Sequence, residues 1–483
     1  MVSGAALERV RGVVEEVIDA LDRWGELVLE AYPGFGKTLL GVEVLKRFRR
    51  GVMVVRTRME MDVAVRMARG LGYRLAPLYG RMTLCPRGFD GDPNLFSALC
   101  RARRLVGECV ERADGEALNL CSRASGLEEL REIGRSRGFC PFRAHVISSL
   151  SSGRIVTTYE FLYRHPEVCS RVRDWDVAVL DECHALVEDA ERLVVRIDRE
   201  FVWGLAEALK RVDPRACYAL RALSRRWGEP SEVIDVLEKV VESCGDRCSE
   251  LERVVDGWRK GLAYVDRSSG AIYVATEPRL DVGSRRLLTT AYLPPPLARG
   301  RRVLKIEPRE KRVRVIVDTS ITTRFRERGP NFVDELAKAI ARHVDRNVAN
   351  LVVVPSKAIA ERVSMELALR GYSVAPPEAI ERASEGTVII DVAGGRATEG
   401  VTPSKSLRRV VVAGMPYPPP SPELSALAKL WGFEAVYTYR ALLRTVQALG
   451  RLTRWGGVGV LIDRRFARYV DRLPPWIEVE DVS

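Results

Sequence analysis

Short continuous apolar runs alternate with stretches of helical period over most of the chain. The first stretch sets Leu7, Val10, Val14, Val17, Ile18 and Leu21 on one stripe and predicts an amphipathic helix. A strand is predicted at Leu27 to Ala31, then a glycine-rich turn, a helix from Lys37 to Phe48 and a strand at Val52 to Val55. Strand, loop, helix and strand in that order open a parallel α/β sheet. The pattern stops at residues 80 to 145, which are rich in arginine and hold five of the ten cysteines. It resumes with strands at Arg154 to Thr157 and Val177 to Leu180. Residues 191 to 282 read mainly as helices, among them Phe201 to Val212 and Ser231 to Ser243, and Leu287 to Thr290 returns to strand. A second alternating series has strands at Val313 to Val317, Leu351 to Val354, Val388 to Ile390, Val410 to Val412 and Val458 to Ile462, with helical patterns between them. The fold class is therefore α/β, in two domains, with two insertions in the first.

Composition agrees with this reading. The 483 residues are 46% hydrophobic and 29% charged, too many for one ordinary core and too apolar for wholesale disorder. No charge-free run is long enough to span a bilayer. The longest, Val410 to Pro422, is broken by Pro416, Pro418, Pro419 and Pro420. No basic start followed by an apolar stretch marks a signal peptide, so a cytoplasmic protein with no membrane partner is expected. A net charge of +12 favours nucleic acid as a partner. Gln447 is the one glutamine, and arginine dominates the basic residues. A heat-adapted source and a GC-rich genome both fit that usage.

Three local patterns carry chemistry. Ala31-Tyr32-Pro33-Gly34-Phe35-Gly36-Lys37-Thr38 lies between a predicted strand and a predicted helix, the setting of a phosphate loop. Gly34 and Gly36 let backbone N–H groups converge on phosphate oxygens, Lys37 supplies charge for the β and γ phosphates, and Thr38 can ligate Mg²⁺. Val177 to Leu180 delivers Asp181 and Glu182 at the carboxyl end of a strand, where α/β sheets bind ligands. Asp181 suits the Mg²⁺ shell and Glu182 suits a base for the attacking water. Gln447, Arg451 and Arg454 recur at i, i+4 and i+7, which predicts one face of a helix. Arginines there can stabilise charge on a transferring phosphoryl group.

As a set these residues resemble superfamily 2 helicases, and among them the XPD family of iron–sulfur DNA helicases. Ala31 to Thr38 resembles motif I, Asp181-Glu182-Cys183-His184 motif II and Gln447 to Arg454 motif VI. Arg56-Thr57-Arg58 resembles motif Ia, Thr289-Thr290-Ala291 motif III, Pro355-Ser356 motif IV and Gly394 to Val401 motif V. The resemblance covers nearly the whole chain. It implies two RecA-like motor domains. The first is built from residues 1–79, 146–190 and 283–305, and the second from 306–483. A cysteine-rich cluster domain at 80–145 and a mainly helical, arch-like insertion at 191–282 interrupt the first. It further implies Glu399 and Gly400 at the nucleotide, and Thr57, Arg58, Thr157 and Ser356 on the nucleic acid. The implied activity is ATP-dependent 5′→3′ unwinding of DNA in repair. The implied partners are single-stranded and fork DNA, and the implied state is a monomer. A non-unwinding or RNA-directed translocase, or a DNA-binding protein with a decayed ATPase, fits the same motifs less fully.

Clustered cysteines in a cytosolic chain point to metal more than to disulfides. The resemblance implies a 4Fe-4S cluster on Cys85, Cys100, Cys109 and Cys140, with Cys121 left over, because Gly138-Phe139-Cys140-Pro141-Phe142 resembles the family's last ligand. By thiolate chemistry alone zinc fits equally well. Cys244 and Cys248 are expected to be ordinary thiols, a disulfide involving Cys217 being the alternative. The chain departs from the family at Thr402, where motif V has Asp, and at Cys183, where motif II commonly has Ala.

Overall fold

A computed structural model describes residues 4–89, 93–124, 126–211, 213–244, 249–275, 280–308, 313–398 and 401–482. Two seven-stranded sheets dominate. In the first, the strands run Val303–Ile306, Glu26–Ala31, Arg286–Thr290, Val177–Leu180, Gly51–Val55, Arg154–Thr158 and Ala76–Pro77 across the sheet. In the second the order is Ser373–Ala375, Thr387–Val392, Ala349–Val354, Leu407–Ala413, Val458–Ile462, Val313–Asp318 and Ile477–Val482. The strand pairs are parallel in both, so each connection crosses over through a helix or an insertion.

The second sheet shows why continuous apolar runs signal such strands. Leu351, Val353, Ile389, Val410 and Val412 enter one buried cluster, while Val352, Val354, Val388, Ile390 and Val411 enter another. Alternate residues point to opposite faces and both faces are covered, so no position along the strand can be polar without cost. The N-terminal helix, Gly4–Trp24, buries Val10, Val14, Val17 and Leu21 from its expected stripe.

Residues 195–274 hold four helices, Arg199–Leu209, Pro214–Arg225, Pro230–Cys244 and Ser249–Arg259, around their own apolar core. The sequence pattern missed a small antiparallel sheet there, made of Val195–Ile197, Ile272–Val274 and Ala263–Val265. Three-residue strands are too short to show a period of two.

Packing divides the chain into two compact units. One is Met1–Leu27, Thr38–Leu288 and Pro420–Phe433, and the other is Val28–Lys37, Thr289–Pro419 and Glu434–Ser483. The helix Pro422–Trp431 thus belongs to the first unit, where Lys429 donates to the Ala263 carbonyl of the small sheet. The phosphate-loop segment belongs by packing to the second. Among the described residues, no helix is long and apolar enough to cross a membrane.

Candidate functional site

In the first unit, Thr38 stands in the first turn of the helix Lys37–Lys46, and Asp181 follows the buried strand Val177–Leu180. Far apart in sequence, they meet, and the Thr38 hydroxyl donates to the Asp181 carboxylate at 2.6 Å. A hydroxyl and a buried carboxylate in contact form the oxygen pair that a hard divalent cation needs. Tyr159 donates its phenol to the Asp181 carbonyl at 2.8 Å and fixes the turn.

Glu182 has φ of 48°, and it is the one non-glycine residue with positive φ among the described residues. That left-handed conformation costs on the order of 1 kcal/mol or more. It turns the Glu182 carboxylate to 3.2 Å from His184 Nδ1. His184 is itself buried, with Glu188 3.8 Å from Nε2. Burial opposes charge on this imidazole, but its hydrogen bond to Glu182 and the charges of Glu182 and Glu188 outweigh it and raise the pKa.

Arg56 binds both oxygens of Asp189 and also reaches Glu188 at 3.2 Å. Its guanidinium therefore ties the segment after the strand Gly51–Val55 to the segment after motif II. Thr57 caps the helix Arg58–Gly70, and Glu60 completes a capping box by accepting from the Arg56 and Thr57 N–H groups at 2.8 and 3.0 Å. The Glu60 pKa is raised, first by burial, with the Asp181 and Glu182 charges adding. Sequence reasoning missed Glu60 as a neighbour of this site, although Thr57-x-x-Glu60 is a legible cap signature. Arg58 is exposed. Thr157 is fully buried and donates to the Leu78 carbonyl at 2.9 Å. At this residue, expected on the nucleic acid, the side chain stands on a covered face of the sheet.

In the second unit, Gly34 and Gly36 take φ of 86° and 109°, values a side chain would strain. Lys37 is buried beside them. The Thr453 hydroxyl donates to the Pro33 carbonyl at 2.7 Å. A Cβ on Gly450 would stand 2.6 Å from Pro33 Cγ, so only glycine lets motif VI approach the phosphate loop this closely. Arg454 lies beside the loop, since a Cβ on Gly34 would sit 3.8 Å from Arg454 Cγ. Its guanidinium donates to the Thr402 hydroxyl at 2.7 Å.

The expected single helical face for Gln447, Arg451 and Arg454 is corrected. The α-helix Tyr439–Leu449 ends before the arginines, and Gly450–Arg454 is a 3₁₀ turn. At three residues per turn the side chains diverge. Arg451 turns to the Thr398 and Val401 carbonyls and clamps the motif V loop, whereas Arg454 faces the phosphate loop. Gln447 has a buried Oε1 with no partner among the described residues. Glu399 and Gly400 lie outside the described residues. Ser356 caps the helix Lys357–Leu369 and is exposed.

In the cysteine-rich segment, the Cys140 N–H donates to the Val110 carbonyl at 2.7 Å, and Glu111 pairs with Cys140 as an isolated parallel bridge. These bonds bring the Cys109 loop beside Cys140. Burial raises the Cys109 thiol, with Cys100 and Cys85 adding and a hydrogen bond to Cys140 opposing. Cys121 stands apart. Its thiol contacts the Pro141 carbonyl at 3.9 Å, and burial alone pushes it up to about 11. Among the described residues no group of three or more His, Cys, Asp or Glu side chains is drawn together tightly enough to hold a metal. Burial raises the Cys140 thiol as well, with Cys109 and Cys100 adding, whereas no other cysteine acts on Cys121. Cys248 and the Cys244 side chain lie outside the described part.

Residues 331–480 match a helicase C-terminal domain. The chain is 23% identical to the ATP-dependent DNA helicase XPD of Sulfolobus acidocaldarius, with 94% of each chain aligned. Its fold is similar to a solved XPD helicase, with a TM-score of 0.64, 20% identity, 98% of this chain and 99% of that one covered. It is also similar to Xpd4 of S. tokodaii, with a TM-score of 0.57, 17% identity and coverage of 98% and 100%. The chain is thus similar over nearly its whole length to XPD helicases, with a helicase C-terminal domain match at residues 331–480 and a shared two-sheet fold.

Proposed function

We propose that the chain is an ATP-dependent 5′→3′ DNA helicase that translocates on single-stranded DNA and serves DNA repair. The observation that carries this reading is the 2.6 Å contact of Thr38 with Asp181, which joins the phosphate-loop helix to the motif II carboxylates. Lys37 would neutralise the β and γ phosphates, and Gly34 and Gly36 would offer them backbone donors. Thr38 and Asp181 would hold Mg²⁺, which would supply positive charge against that of the phosphates. Glu182 takes the proton from that water, and His184 orients the Glu182 carboxylate. Arg454 stabilises charge that develops on the transferring phosphoryl group, and Gln447 Oε1 accepts from water or nucleotide.

On the strand, sugar–phosphate contacts supply most affinity, in keeping with the basic balance. Arg58 and Ser356 are exposed and available to it. Phe325 is 81% exposed next to Arg324 and Arg326, which suits stacking on a base. Cys85, Cys100, Cys109 and Cys140 would hold a 4Fe-4S cluster. When bound, it would cross-link four segments of the chain.

The test is strand displacement on DNA and RNA duplexes bearing 5′ or 3′ tails, with ATP hydrolysis followed in parallel. Displacement of 5′-tailed DNA alone is the expected result. Hydrolysis without displacement would support a translocase, and displacement of RNA would redirect the substrate.

A further inference from the structure

A cavity of about 610 Å³ opens in the first unit, and of the site residues named so far it touches Cys121. It lies between the carboxyl end of the helix Arg58–Gly70, the segment that follows it, and the helices Gly115–Arg123 and Phe142–Ser151. Its size is that of a small-molecule site.

Arg69, Arg74 and Arg123 line it, from three different pieces of chain, and no Asp or Glu does. Arg74 also donates to the Ser122 carbonyl at 3.3 Å and so links two of the walls. Like charges gathered on one concave surface repel one another and favour an anion there. The inner wall carries His145, which is buried. Its Nε2 accepts the Tyr79 N–H at 3.2 Å, so the neutral ring keeps its proton on Nδ1. No hydrogen bond from that N–H to a described residue accompanies the Nε2 contact. Burial pushes the imidazole down to about 4, so the ring stays neutral at physiological pH and donates without adding charge. Leu75, Pro77 and Leu130 complete an apolar wall.

We infer that this cavity binds a small organic phosphate of the nucleoside monophosphate class, with the phosphate on the arginines and a flat heteroatom-bearing ring against the apolar wall, within reach of the His145 Nδ1–H. Bare phosphate would leave both the apolar wall and the His145 N–H unused, and an uncharged nucleoside would leave the arginines unpaired.

The probe is AMP, titrated calorimetrically into the full chain, into Lys37→Ala and into the double variant Arg74→Ala/Arg123→Ala. Both arginines are exposed, so the double variant keeps its fold, which its thermal unfolding checks. AMP is expected to bind the wild type and Lys37→Ala alike, and to bind the double variant at least tenfold more weakly. Adenosine and inorganic phosphate should each bind the wild type at least tenfold more weakly than AMP. The inference is overturned if AMP does not bind. It is also overturned if Lys37→Ala abolishes binding while the double variant keeps it, or if inorganic phosphate binds as tightly as AMP.

Discussion

At Thr402 a neutral hydroxyl accepts the Arg454 guanidinium at a position where motif V of the family carries a carboxylate. A hydroxyl holds the guanidinium less strongly than a charged partner and leaves more of its charge to act on phosphate. Arg454→Ala should therefore lower DNA-stimulated ATP turnover by roughly 10³-fold while ATP affinity changes little. Unchanged turnover with weaker ATP binding would make Arg454 a ground-state contact instead. The cysteines separate in the same residue-by-residue way. Cys109→Ser should cost the protein its iron and its broad visible absorbance, and Cys121→Ser should keep both, read on anaerobically prepared protein by metal analysis and spectrum. The opposite pattern would move the third ligand to Cys121, and stoichiometric zinc would replace the cluster by a zinc site. Phe325→Ala should weaken single-stranded DNA binding by about 1–3 kcal/mol and leave DNA-independent hydrolysis intact. Unaltered DNA affinity would remove Phe325 from the strand path.

At the scale of elements, the turn after the strand Val177–Leu180 couples catalysis to stability. His184 has a raised pKa in the folded state, so its protonation stabilises the fold. That contribution is complete below the unfolded value near 6.5 and is lost as pH climbs through the raised folded value. The difference in unfolding temperature between wild type and His184→Gln should thus shrink from pH 6 to pH 9, and a constant difference would contradict the Glu182–His184–Glu188 arrangement. Which elements the sequence revealed follows from the same physics. The strands Val177–Leu180 and Val458–Ile462 are buried along their lengths and read directly as apolar runs. The edge strands Val303–Ile306 and Ile477–Val482 have exposed positions and no such run, and they went unseen. At Gly450–Arg454 the spacing fitted an α-helix because spacing alone does not show where 3.6 residues per turn gives way to 3.0. Only the approach of Gly450 to Pro33 and the clamp of Arg451 on the motif V carbonyls reveal the tighter turn. The phosphate loop and motif II were legible because their chemistry is local. The Arg56–Asp189 lock and the neighbourhood of Glu60 were not, because they depend on which strands lie side by side.

For the molecule as a whole, the central claim is that hydrolysis at the phosphate loop drives strand separation. Lys37 is buried at the phosphate loop, whereas Arg58, Ser356 and Phe325 are exposed. Loss of Lys37 should thus remove the motor and spare the grip. The most direct measurement compares wild type and Lys37→Ala on a fork with a 5′ single-stranded tail, following strand displacement, ATP hydrolysis and DNA affinity in the same buffer. The wild type should hydrolyse ATP faster with DNA present and displace the strand only with ATP and Mg²⁺, whereas Lys37→Ala should lose both activities and bind the fork with wild-type affinity. Displacement by Lys37→Ala at the wild-type rate, or wild-type hydrolysis that never releases a strand, would contradict the account.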